Sequence, residues 1–303
     1  MLVNYYLSKL GICNIPDFLN KYLKSPSLMR LKNVGYFCGM DFASKEIYNF
    51  QEYISRYDHS LSVSLLTYQL TKDKKATLAA LFHDIATPCF SHVIDYMNGD
   101  YEKQESTEEF TEYILKNDNY FVNCLKEDNI ELDDVINFKN YSIVDNDRPK
   151  VCADRIDGII LTGIGWTKNI NKKDIENIIN DLVIVNNEFN EKEIAFKTIE
   201  VATKVLEISK TIDVYCHSNE DNYMMQLLAQ ITQFAINKKY ISYEDLYHYD
   251  ELALFKLWKQ CNDNHLNMLI KKFETITLKD IPHINLPNVK NRHINPIVNG
   301  KRI

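Results

Sequence analysis

Four positions in this 303-residue chain carry residue types that bind a divalent cation, and each sits in an otherwise apolar stretch: His59, the adjacent His83 and Asp84, and Asp154. His83 and Asp84 interrupt the run LAALFHDIATPCF, His59 stands in ISRYDHSLSVSLL, and Asp154 in VCADRIDGII. An imidazole and a carboxylate placed among Leu, Ala and Phe are costly to bury unless each finds a partner. A divalent metal ion is one such partner. Two imidazoles and two carboxylates would leave positions open for water or a substrate oxygen. A satisfied core histidine or a helix cap is the other reading of such residues.

The elements that must position these groups read as helices. Residues 60–70 and 75–86 carry apolar side chains at three- and four-residue spacing, as do 191–217, 222–237 and 245–258. Ser106 and Glu109 form a capping-box signature ahead of FTEYILKN. Strand-like alternation is confined to 181–185 and INPIV near the end. The expected fold is mainly α. Residues 1–166 form its principal part and 167–194 an Asn/Lys/Glu-rich, α/β-like insertion. Residues 195–303 form a C-terminal helical part ending in an irregular tail, where three of the seven prolines collect.

Composition narrows the class but not the chemistry. A net charge of -7, 45% hydrophobic and 25% charged residues describe a folded chain without a basic nucleic-acid surface. The N-terminus has no basic, apolar leader pattern, and no apolar run approaches the ~20 residues needed to cross a membrane. Seven cysteines with no CxxC pair fit free thiols in a reducing cytosol. The 19 tyrosines lack interleaved basic runs, so they read as packing residues, as do Trp166 and Trp258. His248, His265, His283 and His293 lie in polar context and are expected to face solvent.

The wording around the four ligand candidates resembles the HD-domain phosphohydrolases, closest to their deoxynucleoside-triphosphate triphosphohydrolase branch. SLMRLK (27–32) is similar to that branch's "fQRLr", RYDHSLSV (56–63) to "RfeHSlGV", HDIATPCFSH (83–92) to "HDiGHgPFSH" and ADRID (153–157) to "aDRlDY". KNRHINPIV (290–298) resembles a "R.iDP.v" segment. The resemblance implies a helical bundle holding one divalent ion (Mn, Mg, Fe, Co, Ni or Zn) on His59, His83, Asp84 and Asp154. It implies water-driven hydrolysis of a nucleotide or related phosphoester, with Asp84 taking part and His92 facing the scissile phosphate. Arg56 and Arg155 match positions that hold phosphate oxygens, and Asp95 matches a carboxylate that orients a catalytic histidine. Tyr215 and His217 match the family's "vY.Hk" helix. A homo-oligomer is the common family state. With His92 as the one histidine between Asp84 and Asp154, a mononuclear site is expected.

Five positions depart from the branch, Ser218 among them at the basic position of "vY.Hk". Thr87 stands where "HDiGH" has its second histidine, and Gln104 at the position of the further catalytic histidine. Gly158 replaces the tyrosine of "DRlDY", and Thr162 an acidic residue that contacts the sugar. The metal and phosphate positions are kept while nucleoside-facing and proton-transfer positions change. The expectation is a phosphohydrolase with a substrate other than the standard deoxynucleoside triphosphate, or a nucleotide-binding regulatory module that has lost turnover.

Overall fold

In a computed structural model, residues 1–104, 106, 110–285 and 288–303 are described. The fold is mainly α, with fifteen α-helices and one four-stranded sheet among those residues. At its centre two helices, Arg56–Thr71 and Lys74–Phe82, are joined by two residues. The first opens on a reciprocal capping box between Ser55 and Asp58. Lys72 then turns the chain in a left-handed conformation, and Asp73 caps the second helix by accepting from the amides of Lys75 and Ala76. Both helices are buried around nearly their whole circumference, which suits the middle of a bundle.

Two boundaries differ from the periodicity. The helix expected over 75–86 ends at Phe82, so His83 and Asp84 lie at its C-terminal end. Pro88 disfavours helical backbone at Thr87, and the chain turns there. The helix expected over 191–217 splits into a strand and the helix Ile199–Cys216. The sheet order is β1 (Leu182–Asn186), β2 (Lys192–Phe196), β3 (Ile297–Val298) and β4 (Lys301–Arg302). Within it β2 pairs antiparallel with β1 and parallel with β3, so four of its residues are buried in succession. A strand buried on both faces shows no alternation to read. The capping box expected from Ser106 and Glu109 lies partly outside the described residues; the following helix runs Thr111–Asn117.

Two apolar cores divide the chain. One gathers the central helices, the N-terminal helix Leu2–Lys9 and the helix Ala153–Gly165, and takes in Ile175 and Ile178 from the 167–194 stretch. The other packs the helices Asn219–Asn237, Glu251–Gln260 and Asn264–Thr275 against Cys89–Ile94 and Tyr96. Phe50, Ile114 and Trp166 touch both. A cavity of about 580 Å³ opens at their junction, a volume suited to a small-molecule ligand. No helix among the described residues is long and apolar enough to cross a membrane.

Candidate metal centre

The Arg56–Thr71 helix places His59 one turn from its start, the end of the next helix presents His83 and Asp84, and the Ala153–Gly165 helix brings Asp154 in its first turn. Ligand atoms of His59, His83 and Asp154 all lie within 4.8 Å of one another. His59 Nε2 stands 3.1 Å from Asp154 Oδ1 and 3.6 Å from Asp84 Oδ2. His83 Nε2 is 3.6 Å from Asp154 Oδ1 and 3.7 Å from Asp84 Oδ1. His59, His83 and Asp154 therefore converge on one point at the wall of the cavity, with Asp84 alongside.

The opposite ring nitrogens show what that point is built for. His59 Nδ1 bonds Asp157 Oδ2 at 2.7 Å, and the other oxygen of Asp157 accepts from Tyr6 Oη at 2.6 Å. His83 Nδ1 bonds the Ala80 carbonyl at 2.7 Å. With both Nδ1 atoms committed to acceptors, each ring is turned so that its Nε2 faces the carboxylates. His83 Nε2 is buried with no hydrogen-bond partner. An orphaned, inward-facing imidazole nitrogen fits a metal ligand, and outer acceptors of this kind fix the ring of a metal-binding histidine. Burial alone would lift the Asp84 carboxyl, but His83, Arg56 and His59 hold it down to about 2. A second cluster, Asp145, Cys152 and Asp154, fits less well. Burial pushes the Cys152 thiol up, and Asp145 is paired with Arg155.

Around this point the other expected residues take different places. Arg56 donates to Asp84 Oδ2 at 2.9 Å and to Ser91 Oγ at 3.1 Å, so it anchors a ligand as well as lining the cavity. His92 also lines the cavity; its Nδ1 bonds Asp95 Oδ2 at 2.9 Å, leaving Nε2 for a substrate atom. Asp95 is fixed in turn by the amide of Ser106 and its hydroxyl, at 3.1 and 2.6 Å. Burial lowers the His92 pKa against the pull of Asp95, which favours the neutral ring. Arg155 spends its guanidinium on Asp145, Asn146 and the Lys150 carbonyl, clamping the loop 145–150. Tyr215 and His217 are not brought to the cavity. Tyr215 is exposed against Trp166, and His217 Nδ1 bonds the Asp213 carbonyl at 2.7 Å. Trp166, read as packing, lines the cavity, whereas Trp258 is fully buried in the second core. The four histidines expected in solvent are exposed.

The departures from the branch at Thr87, Gln104, Gly158 and Thr162 have local reasons. A Cβ on Gly158 would stand 3.1 Å from the Tyr36 hydroxyl, so Tyr36 fills the space a side chain there would need. Its ring lies 5.1 Å from that of His59 and 5.0 Å from the Arg56 guanidinium carbon, and Thr162 lines the same cavity. The Thr87 carbonyl accepts from Arg30 at 2.6 Å. Gln104 accepts from Arg292 at 3.2 Å. Sequence reasoning missed Tyr6, Tyr36, Asp157, Arg148 and Arg292. Asp157 carried a signal, since it follows Asp154 by one helical turn within ADRID; Arg148 in NDRPK carried none.

The stretch that holds all four ligand candidates is the one that a family model matches. The HD domain family model matches residues 56–158, and an HD domain is present in the chain. A relative in Bacillus subtilis (strain 168), the uncharacterized protein YdhJ, is 24% identical over 260 residues, covering 86% of this chain and 76% of its own length. HD domains bind divalent metals and are usually metal-dependent hydrolases.

Proposed function

We propose that this protein is a metal-dependent phosphohydrolase that cleaves a phosphoester or phosphoanhydride bond of a nucleotide or related small molecule. The observation that carries the reading is the convergence of two histidines with rings fixed by outer acceptors, one with an orphaned Nε2, on two carboxylates at a cavity wall. His59, His83, Asp84 and Asp154 are the residues that would hold one divalent ion. Such an ion lowers the pKa of a coordinated water and offsets charge on a phosphoryl oxygen. The chain supplies the rest. Arg56 holds Asp84 in place and presents guanidinium charge to the phosphoryl group. His92, oriented by Asp95, offers Nε2 for proton transfer to or from a substrate oxygen. The aromatic side of the cavity, with Tyr36, Phe37, Tyr48, Phe50 and Trp166, suits the flat apolar part of a nucleotide-like substrate.

Tyr36 in the space beside Gly158, with Thr162 on the same cavity wall, supports a substrate other than a standard deoxynucleoside triphosphate. A reducing cytosol is the setting that seven free cysteines support. The test is a panel of nucleotides and phosphoesters with Mn, Mg, Co or Ni, beside elemental analysis of the purified chain. Metal-dependent release of phosphate or a longer phosphate chain is expected, with Asp84→Ala inactive. Bound metal and nucleotide without turnover would instead support the regulatory module. A deoxynucleoside triphosphate as the best substrate would sink the altered-substrate claim.

A further inference from the structure

The charged side chains of the cavity are unevenly used. Arg56 pairs with Asp84, Arg155 with Asp145 and Lys150 with Glu191. Arg148 and Arg292 also line the cavity, and neither forms an ion pair among the described residues. Arg292 donates one bond, from Nη2 to Gln104, and its Nε is buried without a partner. Arg148 donates no hydrogen bond to a described residue, and burial with the charges of Arg292 and Arg155 depresses its pKa to about 10. Neither guanidinium has a carboxylate of a described residue at ion-pair distance; Asp221 acts on Arg292 and Asp154 on Arg148 only from farther off, so both forks keep donors open to an anion in the cavity.

The chain invests in placing both. Arg292 is carried on the C-terminal tail, whose backbone is tied down on either side of it. Lys290 N donates to the Tyr101 carbonyl at 3.1 Å, Arg292 N to Asp213 Oδ1 at 3.1 Å, and Ser209 Oγ to the Arg292 carbonyl at 3.3 Å. Asn295 N donates to the Pro149 carbonyl at 2.8 Å, so the tail is stitched to the loop that bears Arg148. Gln104, which cannot transfer a proton, has an evident use here as the acceptor that aims Arg292.

We propose that Arg148 and Arg292 form a clamp for a second anionic group of the substrate, of the phosphate class and separate from the phosphoryl group at the metal centre. The assignment rests on the hydrolase reading only for calling the ligand a substrate. A planar guanidinium grips phosphate oxygens through two parallel donors, and two of them select for an extended polyanion over a single phosphate. The clamp makes both arginines specificity-determining and leaves the chemistry to the metal centre and His92.

The probe is inorganic tripolyphosphate, titrated calorimetrically into chelator-treated protein so that no metal contributes. Orthophosphate is titrated in parallel. The wild-type chain is expected to bind tripolyphosphate more tightly than orthophosphate. Arg292→Gln and Arg148→Gln should each weaken tripolyphosphate about tenfold, the loss of one charge-assisted contact. Arg292→Lys should fall between, since it keeps the charge and loses the fork. Circular dichroism and thermal midpoints confirm that each variant is folded, and Arg292→Lys stands in should Arg292→Gln fail to fold. No wild-type binding, or folded Gln variants with unchanged affinity, overturns the clamp. Hydrolysis with KM unmoved in both Gln variants does so too, and leaves the hydrolase intact. Arginine-dependent binding without any hydrolysis keeps the clamp and sinks the hydrolase.

Discussion

His59 shows how much of a candidate metal centre is decided one atom beyond the candidate ligand. Its Nε2 faces Asp154 while its Nδ1 bonds Asp157, so two carboxylates a helical turn apart hold the two ends of one ring. Asp157 is fully buried, and the Tyr6 hydroxyl satisfies its second oxygen. Removing that carboxylate frees the ring and strands the tyrosine hydroxyl. Asp157→Ala is therefore expected to weaken Mn(II) binding about 10- to 100-fold, the usual cost of losing an outer-shell acceptor. Titration followed by the Mn(II) paramagnetic signal measures it, and an unchanged affinity would mean that packing alone orients His59. Tyr6→Phe keeps the carboxylate and should cost less than Asp157→Ala in the same assay. The candidate ligands stood out in the sequence because polar groups in apolar runs are conspicuous. Arg148 and Arg292 did not, because whether a guanidinium is free depends on which carboxylates the fold brings beside it.

The turn before His92 is the most contorted element at the site. Phe90 and Ser91 both adopt positive φ, 67° and 46°, a region that costs non-glycine residues on the order of 1–3 kcal/mol each. Glu251, from the helix Glu251–Gln260 of the second core, accepts the Phe90 amide at 2.8 Å and helps hold the turn, while Arg56 donates to Ser91. Asp41 Oδ2 and Glu251 Oε2 each lie 2.9 Å from where a Gly35 Cβ would stand, and both are buried without a hydrogen-bond partner. Burial, with Asp41 adding, pushes Glu251 up to about 8 against the pull of the Phe90 amide and Arg56; burial also lifts Asp41 to about 6. The folded chain thus binds more protons than the unfolded one as pH rises from about 4.5 to 8, and stability falls across that window. Glu251→Gln keeps an acceptor for Phe90 and removes the titration. Its thermal midpoint should fall less than that of the wild type over the same range. Parallel pH profiles for the two proteins would remove this account. The helix-period pattern exposed most helices of this region but not the turn, whose shape is imposed by a residue about 160 positions away.

A whole-chain charge of -7 does not describe the surface a ligand meets, because the cavity lies where two cores join and its walls are set by tertiary pairing. One wall depends on the tail. Glu193 on β2 is fully buried and takes both Nη atoms of Arg302 on β4, at 3.0 and 2.8 Å, along with the Val151 amide at 3.1 Å. That single carboxylate joins the sheet, the tail and the stretch leading into the Asp154 helix. Tail and sheet were only half legible in the sequence. INPIV showed a strand pattern, while β2 resembled part of a helix because it is buried on both faces and one of its two partner strands comes from about 100 residues later. Arg302→Ala leaves Glu193 buried and without its cation, a change worth about 3 kcal/mol where a buried pair is broken. The loss should concentrate where the carboxylate reaches. Amide hydrogen exchange is expected to quicken over 288–303 and around 145–151, with the central helices Arg56–Thr71 and Lys74–Phe82 little changed. Adding Glu193→Gln to Arg302→Ala should recover part of the stability, since the stranded charge is gone. Uniformly faster exchange across the chain would show that tail and core open as one unit, and that the cavity wall carrying Arg292 has no separate equilibrium of its own.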